Sequence, residues 1–333
     1  MNTTAVSPPE TAARSRTRHL LHRSLTWLIA VGALWALARL TGADRLPLLT
    51  GLLVPIMTFT PYAAVVSVIL AVVALVLRRW KAFGVTLGVV SAFAVAVLPR
   101  AIGDTTPVTG GPVLRVLTAN LRLGRADPRV LAGLVRRTHA DVLSMQEFTP
   151  QAGAALDRAG LGRLLPHRIT TPLGSALGSA LYARWPLHAL PMFQVHLIGL
   201  AIPHAEMDVP GGRRVEMMAV HLARPMNPSG VGQWNRAFVL LPAGRHRGPV
   251  RILAGDFNAT LDHTSLRRLV GEGYVDAAYR TGNGLVPTFR QWWVPPITLD
   301  HVLADARCAV RRTRVYDLPG SDHRAVLAEL RLP

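Results

Sequence analysis

The chain has 333 residues, 50% of them hydrophobic, a formal net charge of +18 and a single cysteine, Cys308. That lone thiol excludes an intrachain disulfide framework and a cysteine-based zinc cluster, and the apolar content is more than one soluble domain needs. The charge suits a polyanionic partner or an anionic membrane surface, although every cationic side chain except Lys81 is an arginine, a bias that coding preference also produces.

Residues 1–23 read as a basic amino terminus carrying Arg14, Arg16, Arg18 and Arg23. Residues 24–98 are nearly free of acids and contain three apolar stretches, 24–40, 48–77 and 82–98. Each has about the length needed to cross a hydrocarbon core of roughly 30 Å as a helix. A basic leader followed by an apolar run with Ala36 and Ala38 is also the pattern of a signal peptide, but two further apolar stretches argue against a simple cleaved leader. The middle stretch exceeds one crossing, and Pro55 and Pro61 stand where a kink would absorb the excess. Arg78, Arg79 and Lys81 occupy the second connection, whereas the first holds only Asp44 and Arg45 as charges. The positive-inside rule then puts the amino terminus and the Arg78–Lys81 loop in the cytoplasm and everything after the third crossing outside.

After a linker at 99–111, residues 112–333 alternate strand-like and helix-like runs, which predicts an α/β domain. VLRVLTANL, DVLSMQ, RRVEMMAVHL, VRILAGDFN, LDHVLAD and RAVLAELRL read as strands, with helices over Pro128–Arg137, Gln151–Ala159 and Val231–Arg245. Polar residues gather at the strand ends, where sites on sheets form. Asn120 follows VLTA and Glu147 follows DVLSMQ; either alone reads equally well as a turn or loop residue. The GDFN run delivers Asp256 and Asn258 two residues apart, on the same side of an extended backbone. His221 ends one alternating strand, Asp300 opens another, and Asp322 with His323 precede the last.

The ordered set Asn120, Glu147, His221, Asp256, Asn258, Asp300, Asp322 and His323 resembles the endonuclease/exonuclease/phosphatase superfamily. GDFN and SDH are its most specific motifs, supported by Gln146–Glu147 and by GSALYARWP from Gly178 to Pro186. The resemblance covers about 112–333 and implies a DNase I-like, four-layer sandwich of two mixed β-sheets flanked by helices, here preceded by about three transmembrane helices. It further implies a phosphoesterase using Mg2+ or Mn2+, with Asn120, Glu147 and Asp322 as metal ligands. His323, oriented by Asp300, would be the base or a donor to the phosphate; Asp256 would orient the water, and the choice of base between the two stays open. Asn258 and His221 would donate to phosphate oxygens. Hard oxygen ligands and neutral or cationic donors suit in-line attack of water on a phosphoester. Two departures, Arg122 soon after Asn120 and His221 where abasic-site enzymes use tyrosine, point away from that branch.

The remaining histidines, His139, His167, His188, His196, His204, His246 and His263, show no metal-ligand spacing and read as surface or structural residues. Trp292 and Trp293 read either as core or as an aromatic wall that meets a lipid substrate. A catalytic domain tied to the outer membrane face has a short reach, so lipid-linked phosphates are its expected substrates. The layout of three spans followed by this domain resembles VanJ-type proteins associated with teicoplanin-class glycopeptide resistance, which implies undecaprenyl pyrophosphate as a candidate. An anchored nuclease acting on nucleic acid and a non-catalytic binding module are the competing readings; the sequence leaves oligomeric state open.

Overall fold

The computed structural model describes residues 10–104, 110–171, 176–191, 193–195, 200–245 and 247–333. The first nine residues of the basic amino terminus, part of the linker, His196 and His246 lie outside them. The chain divides into two units, residues 1–43 with 59–97, and residues 44–58 with 98–333.

The first unit packs three helices, α1 (Glu10–Thr41), α3 (Thr60–Val76) and α4 (Trp80–Val97). Between α1 and α3 the chain runs through α2 (Thr50–Met57), which belongs to the other unit. In the bundle, Leu25, Ile29 and Leu70 form one buried cluster and Ala36, Val89 and Phe93 another. Gly32 leaves room for Ser67 and Val89 beside it, and Trp35 Nε1 donates to Thr60 Oγ1 at 3.1 Å. The outward faces carry exposed Trp27, Val31, Leu34, Val65 and Val95, so the unit is apolar outside as well as within, where Thr60, Ser67 and Thr86 are also buried. His22–Thr41 and Trp80–Val97 are long and apolar enough to cross a membrane. The stretch read as one long segment, 48–77, is two helices; α2 and α3 pass the same test only as a pair, bent by 75°. Pro61 starts α3, where a missing N–H costs nothing.

The second unit opens with α2 and α5 (Pro99–Ile102) and continues through β1 (Val113–Asn120), α6 (Pro128–Thr138), β2 (Val142–Gln146), α7 (Pro150–Arg158), α8 (Leu161–Leu164), β3 (His167–Thr171), β4 (Ser179–Ala183), β5 (Leu187–Ala189), β6 (Phe193–Val195), β7 (Leu200–Ile202), β8 (His204–Val209) and β9 (Arg213–His221). It ends with α9 (Pro228–Leu240), β10 (Val250–Asp256), α10 (Thr264–Gly271), β11 (Tyr274–Asp276), α11 (Ala277–Arg280), β12 (Phe289–Gln291), β13 (Val294–Ile297), β14 (Asp300–Asp305), β15 (Ala309–Tyr316) and β16 (Ala325–Arg331). Three helices begin with a capping residue followed by proline: Asp127, Thr149 and Asn227 each accept a backbone N–H of the first turn.

Two six-stranded sheets result, ordered β15-β16-β1-β2-β4-β3 and β11-β14-β10-β9-β8-β5. Each is mixed, with one central parallel pair, β1 with β2 and β9 with β10. Alternation along the strands sends Leu114, Val116, Ile252, Ala254, Val302 and Ala304 into one buried layer, between the sheets. The opposite face of the first sheet is covered by α6, α7 and α8 through Leu131, Leu134 and Leu156. That of the second is covered by α9 and α10 through Trp234, Phe238 and Leu266. This is the four-layer α/β sandwich expected from the motif order.

Candidate functional site

The site forms where the two parallel pairs end. Asn120 and Gln146 are the partnered last residues of β1 and β2. Asp256 pairs with His221 across the parallel β9–β10 ladder and with Asp300 across the antiparallel β10–β14 ladder. Register therefore brings His221, Asp256 and Asp300 onto neighbouring strands at one edge. Gly255 permits this approach, because any Cβ there would collide with the Val220 carbonyl.

His323 Nδ1 donates to Asp300 Oδ2 at 2.9 Å, and His323 Nε2 stands 3.6 Å from Asp256 Oδ2. Burial alone would lower the His323 pKa, but the Asp300 and Asp256 carboxylates overcome it and hold it at about 9, so the ring is an imidazolium at neutral pH. Phe289 packs edge-on against this ring at 4.9 Å. Asn120 Nδ2 donates to Asp256 Oδ2 at 3.1 Å and to Glu147 Oε1 at 3.3 Å, while its Oδ1 accepts from the Arg122 N–H at 2.9 Å. Asn120 thus joins two carboxylates as a donor, while its Oδ1, holding one hydrogen bond, keeps a second lone pair for the metal that the motif order implies. Asn258 donates from its backbone to Asp256 Oδ1 and from Nδ2 to Leu222 O. His221 Nε2 lies 3.8 Å from Asp256 Oδ2.

Among the described residues, four of the six non-glycine residues with positive φ, Arg122, Leu123, Glu147 and Asn258, stand at this edge. Such strain persists where surrounding structure dictates it, and it clusters at functional sites. Glu147 Oε2 accepts from Leu123 N at 2.8 Å, and among the described residues no cation lies within ion-pair distance of this nearly buried carboxylate. Asp322 Oδ2 accepts from Gln291 Nε2 at 2.8 Å and lies 3.8 Å from Arg122 Nε. Glu147 thus presents an under-neutralised hard oxygen, which fits a hard divalent ion. Asp256, Asp300 and His323 also have potential ligand atoms within 4.8 Å of one another. In that trio His323 Nδ1 is already engaged by Asp300, which leaves Nε2 and the Asp256 carboxylate facing each other across the same space.

Three further residues support the site without being marked as site residues by the motifs. Ser321 Oγ donates to Asn120 O at 2.8 Å and accepts from His323 N at 3.0 Å, tying the SDH loop to β1. Gln291 holds Asp322 from the β12–β13 hairpin, with no motif to announce it. His301 of the LDH run bridges Asp276 Oδ2 at 2.7 Å and Ala259 O at 2.9 Å, fixing the backbone just beyond GDFN. Trp292 and Trp293 are 96% and 61% exposed, which removes the core reading of that pair. Their hairpin turns out into solvent, so neither indole has a buried layer to enter.

The described histidines outside the motifs are structural or superficial. His188 pairs with Asp208 on the surface and His204 with buried Glu216. His263 is fully buried, its Nδ1 accepting from Thr260 N at 2.9 Å and its Nε2 donating to Val54 O at 2.8 Å.

The structural neighbours include an endonuclease/exonuclease/phosphatase from Beutenbergia cavernae (TM-score 0.51, 20% identity, 66% of this chain and 72% of that one). D. rerio TDP2 in complex with a single-strand DNA product matches with TM-score 0.53 and 15% identity over 66% of this chain and 98% of its own. The endonuclease/exonuclease/phosphatase from Bacteroides vulgatus matches with TM-score 0.51 and 15% identity over 67% and 100%. At these identities the likeness speaks for the fold. No curated protein matches the chain by sequence. The model of the endonuclease/exonuclease/phosphatase family matches residues 117–323, from within β1 to the histidine of SDH, and the chain belongs to that family.

Proposed function

We propose that this protein is a membrane-bound, divalent-metal-dependent phosphoesterase working at the outer face of the cytoplasmic membrane on a lipid-linked pyrophosphate such as undecaprenyl pyrophosphate. In this reading it contributes to glycopeptide resistance through the supply of cell-wall carrier lipid. One observation carries the membrane part. Asp44 accepts from Thr264 N and Oγ1, Val54 O accepts from His263, and Arg100 forms a buried two-point ion pair with Asp262 at 2.7 and 2.5 Å. The chain therefore enters and leaves the catalytic unit at Asp262–Thr264, six residues beyond the catalytic-edge Asp256 at the nearest. That separation limits the distance to about 20 Å even for extended chain.

The same observation supports the topology. Residues 44–58 and 98–333 are one unit and must share a side, so an even number of crossings separates them. The helices α3 and α4 supply two, and α1 supplies the crossing before them. With Arg78 and Arg79 between α3 and α4 and Lys81 in the first turn of α4, the positive-inside rule assigns that loop and the amino terminus to the cytoplasm.

Within the site, Glu147 and Asp322 would hold Mg2+ or Mn2+, which when bound neutralises charge growing on the phosphate oxygens. Asp256, fixed by Asn120 and the Asn258 N–H, orients and deprotonates the attacking water. His323, held by Asp300, points Nε2 to the same space and donates to the phosphate, assisted by His221. The test is phosphate release by detergent-purified protein offered undecaprenyl pyrophosphate and plasmid DNA in parallel, with Asp322→Ala as control. Release from lipid that the variant lacks supports the proposal; nicked DNA with intact lipid overturns it in favour of an anchored nuclease, the reading that the charge of +18 favours.

A further inference from the structure

The β12–β13 hairpin is mechanically part of the catalytic edge. Gln291 Nε2 donates to Asp322 Oδ2 at 2.8 Å, Arg290 N donates to Asp322 O at 2.9 Å, and Phe289 both bridges to and packs on His323. Its turn presents Trp292, 96% exposed, and Trp293, 61% exposed, with half-exposed Arg290, 3.6 Å from the exposed Asp317 carboxylate, beside them. Burying two such rings is favourable, so a pair held in water on a fixed turn points to something that covers them.

We infer that the Trp292–Trp293 turn is an interfacial anchor that enters the head-group layer of the bilayer and holds the catalytic cleft open toward lipid. This rests on the membrane reading proposed above. The occupant is argued from the catalytic unit itself. Asp262–Thr264, where the chain segments joining the apolar helices fasten, follow β10 from the edge that carries Asp256. The hairpin runs into β14 at Asp300, the register partner of Asp256 at that same edge. Tryptophan prefers the layer between hydrocarbon and water, its ring in the apolar part and its N–H in the polar part, and a neighbouring arginine suits anionic head groups. A flat polar protein partner would use neither preference. A single-stranded nucleic acid would, by stacking bases on the rings, and is the rival occupant.

The experiment uses the full chain in nanodiscs of phosphatidylglycerol and phosphatidylethanolamine, with and without bromine on the acyl chains near the head groups. The chain has other tryptophans, so the signal is the emission of the wild type minus that of the variant W292F/W293F. Blue-shifted difference emission quenched by the brominated lipid is expected. Red-shifted emission that bromine leaves unchanged overturns the inference, as does quenching by an added oligonucleotide instead of lipid. In the same discs W292A/W293A should lower hydrolysis of the lipid pyrophosphate by about tenfold while hydrolysis of bis(p-nitrophenyl) phosphate stays intact, which also verifies folding. Quenching by bromine with no hydrolysis of the lipid would uphold the anchor and overturn the substrate assignment alone.

Discussion

His323 is bound through Nδ1 to Asp300 and faces Asp256 through Nε2, so one ring joins two carboxylates that register alone would leave side by side. Asp300→Asn keeps the size but removes the charge that holds the imidazolium and its orientation. It should lower kcat by about 10²–10⁴-fold with little change in KM, measured by steady-state hydrolysis of bis(p-nitrophenyl) phosphate. An Asp300→Asn enzyme of full activity would remove His323 from the chemistry.

Glu147→Gln retains the hydrogen bond from Leu123 and gives up a formal charge. Divalent-ion binding, followed by titration calorimetry without substrate, should weaken at least about tenfold, and chelation should silence the wild-type enzyme reversibly. Unchanged ion affinity would move the metal away from Glu147.

Arg100 and Asp262 are buried together, so truncating Arg100 takes a two-point guanidinium contact from a carboxylate in a dry site. Arg100→Ala should cost about 3–5 kcal/mol, whereas replacing both by leucine or methionine should be far milder. Denaturant unfolding of the full chain in micelles, followed through Trp234 packed near α10, measures the difference.

Burial holds the His263 pKa below its ordinary value, although Asp44 and Asp262 nearby and the hydrogen bonds with Val54 and Thr260 pull the other way. The folded form therefore stays neutral while the unfolded ring binds a proton near pH 6.5. Stability from this site is complete above that pH and is lost as pH falls from it toward the folded pKa. The protection factors for hydrogen exchange over residues 44–58, corrected for the intrinsic rate at each pH, should be larger at pH 7.5 than at pH 5; equal factors at both would contradict the sign.

Leu48 is 98% exposed on the catalytic unit, and Lys81 stands in the first turn of α4, next to the α3–α4 connection. In intact cells an impermeant maleimide should label Leu48→Cys and spare Lys81→Cys until the membrane is opened. The native Cys308 is buried, with its thiol pKa pushed up by burial to about 12, and should stay silent.

The site was legible because its residues sit at strand ends in motifs of fixed spacing: Asp256 and Asn258 in GDFN, Asp322 and His323 in SDH. Register then did the assembling, pairing Asp256 with both His221 and Asp300. The apolar stretch 48–77 was less legible, because hydropathy does not distinguish lipid from protein core. Val54 and Met57 are as apolar as Val65 and Val66, yet the former are buried in the catalytic unit and the latter exposed on the bundle. Nor does sequence tell which end of the Asn120 amide faces the carboxylates, since that depends on the Arg122 N–H bending back through a left-handed turn.

The weaving of residues 44–58 into the catalytic unit bears on how the enzyme is handled. Excision at Pro112, the natural place to cut by motif boundaries, would discard Asp44, Val54, Met57 and Arg100 together. Trp234 and Phe238 would lose Val54 from their cluster, and Asp262 the Arg100 guanidinium. Such a fragment should be recovered mostly as aggregate, and supplying residues 44–58 as a separate peptide should rescue part of it.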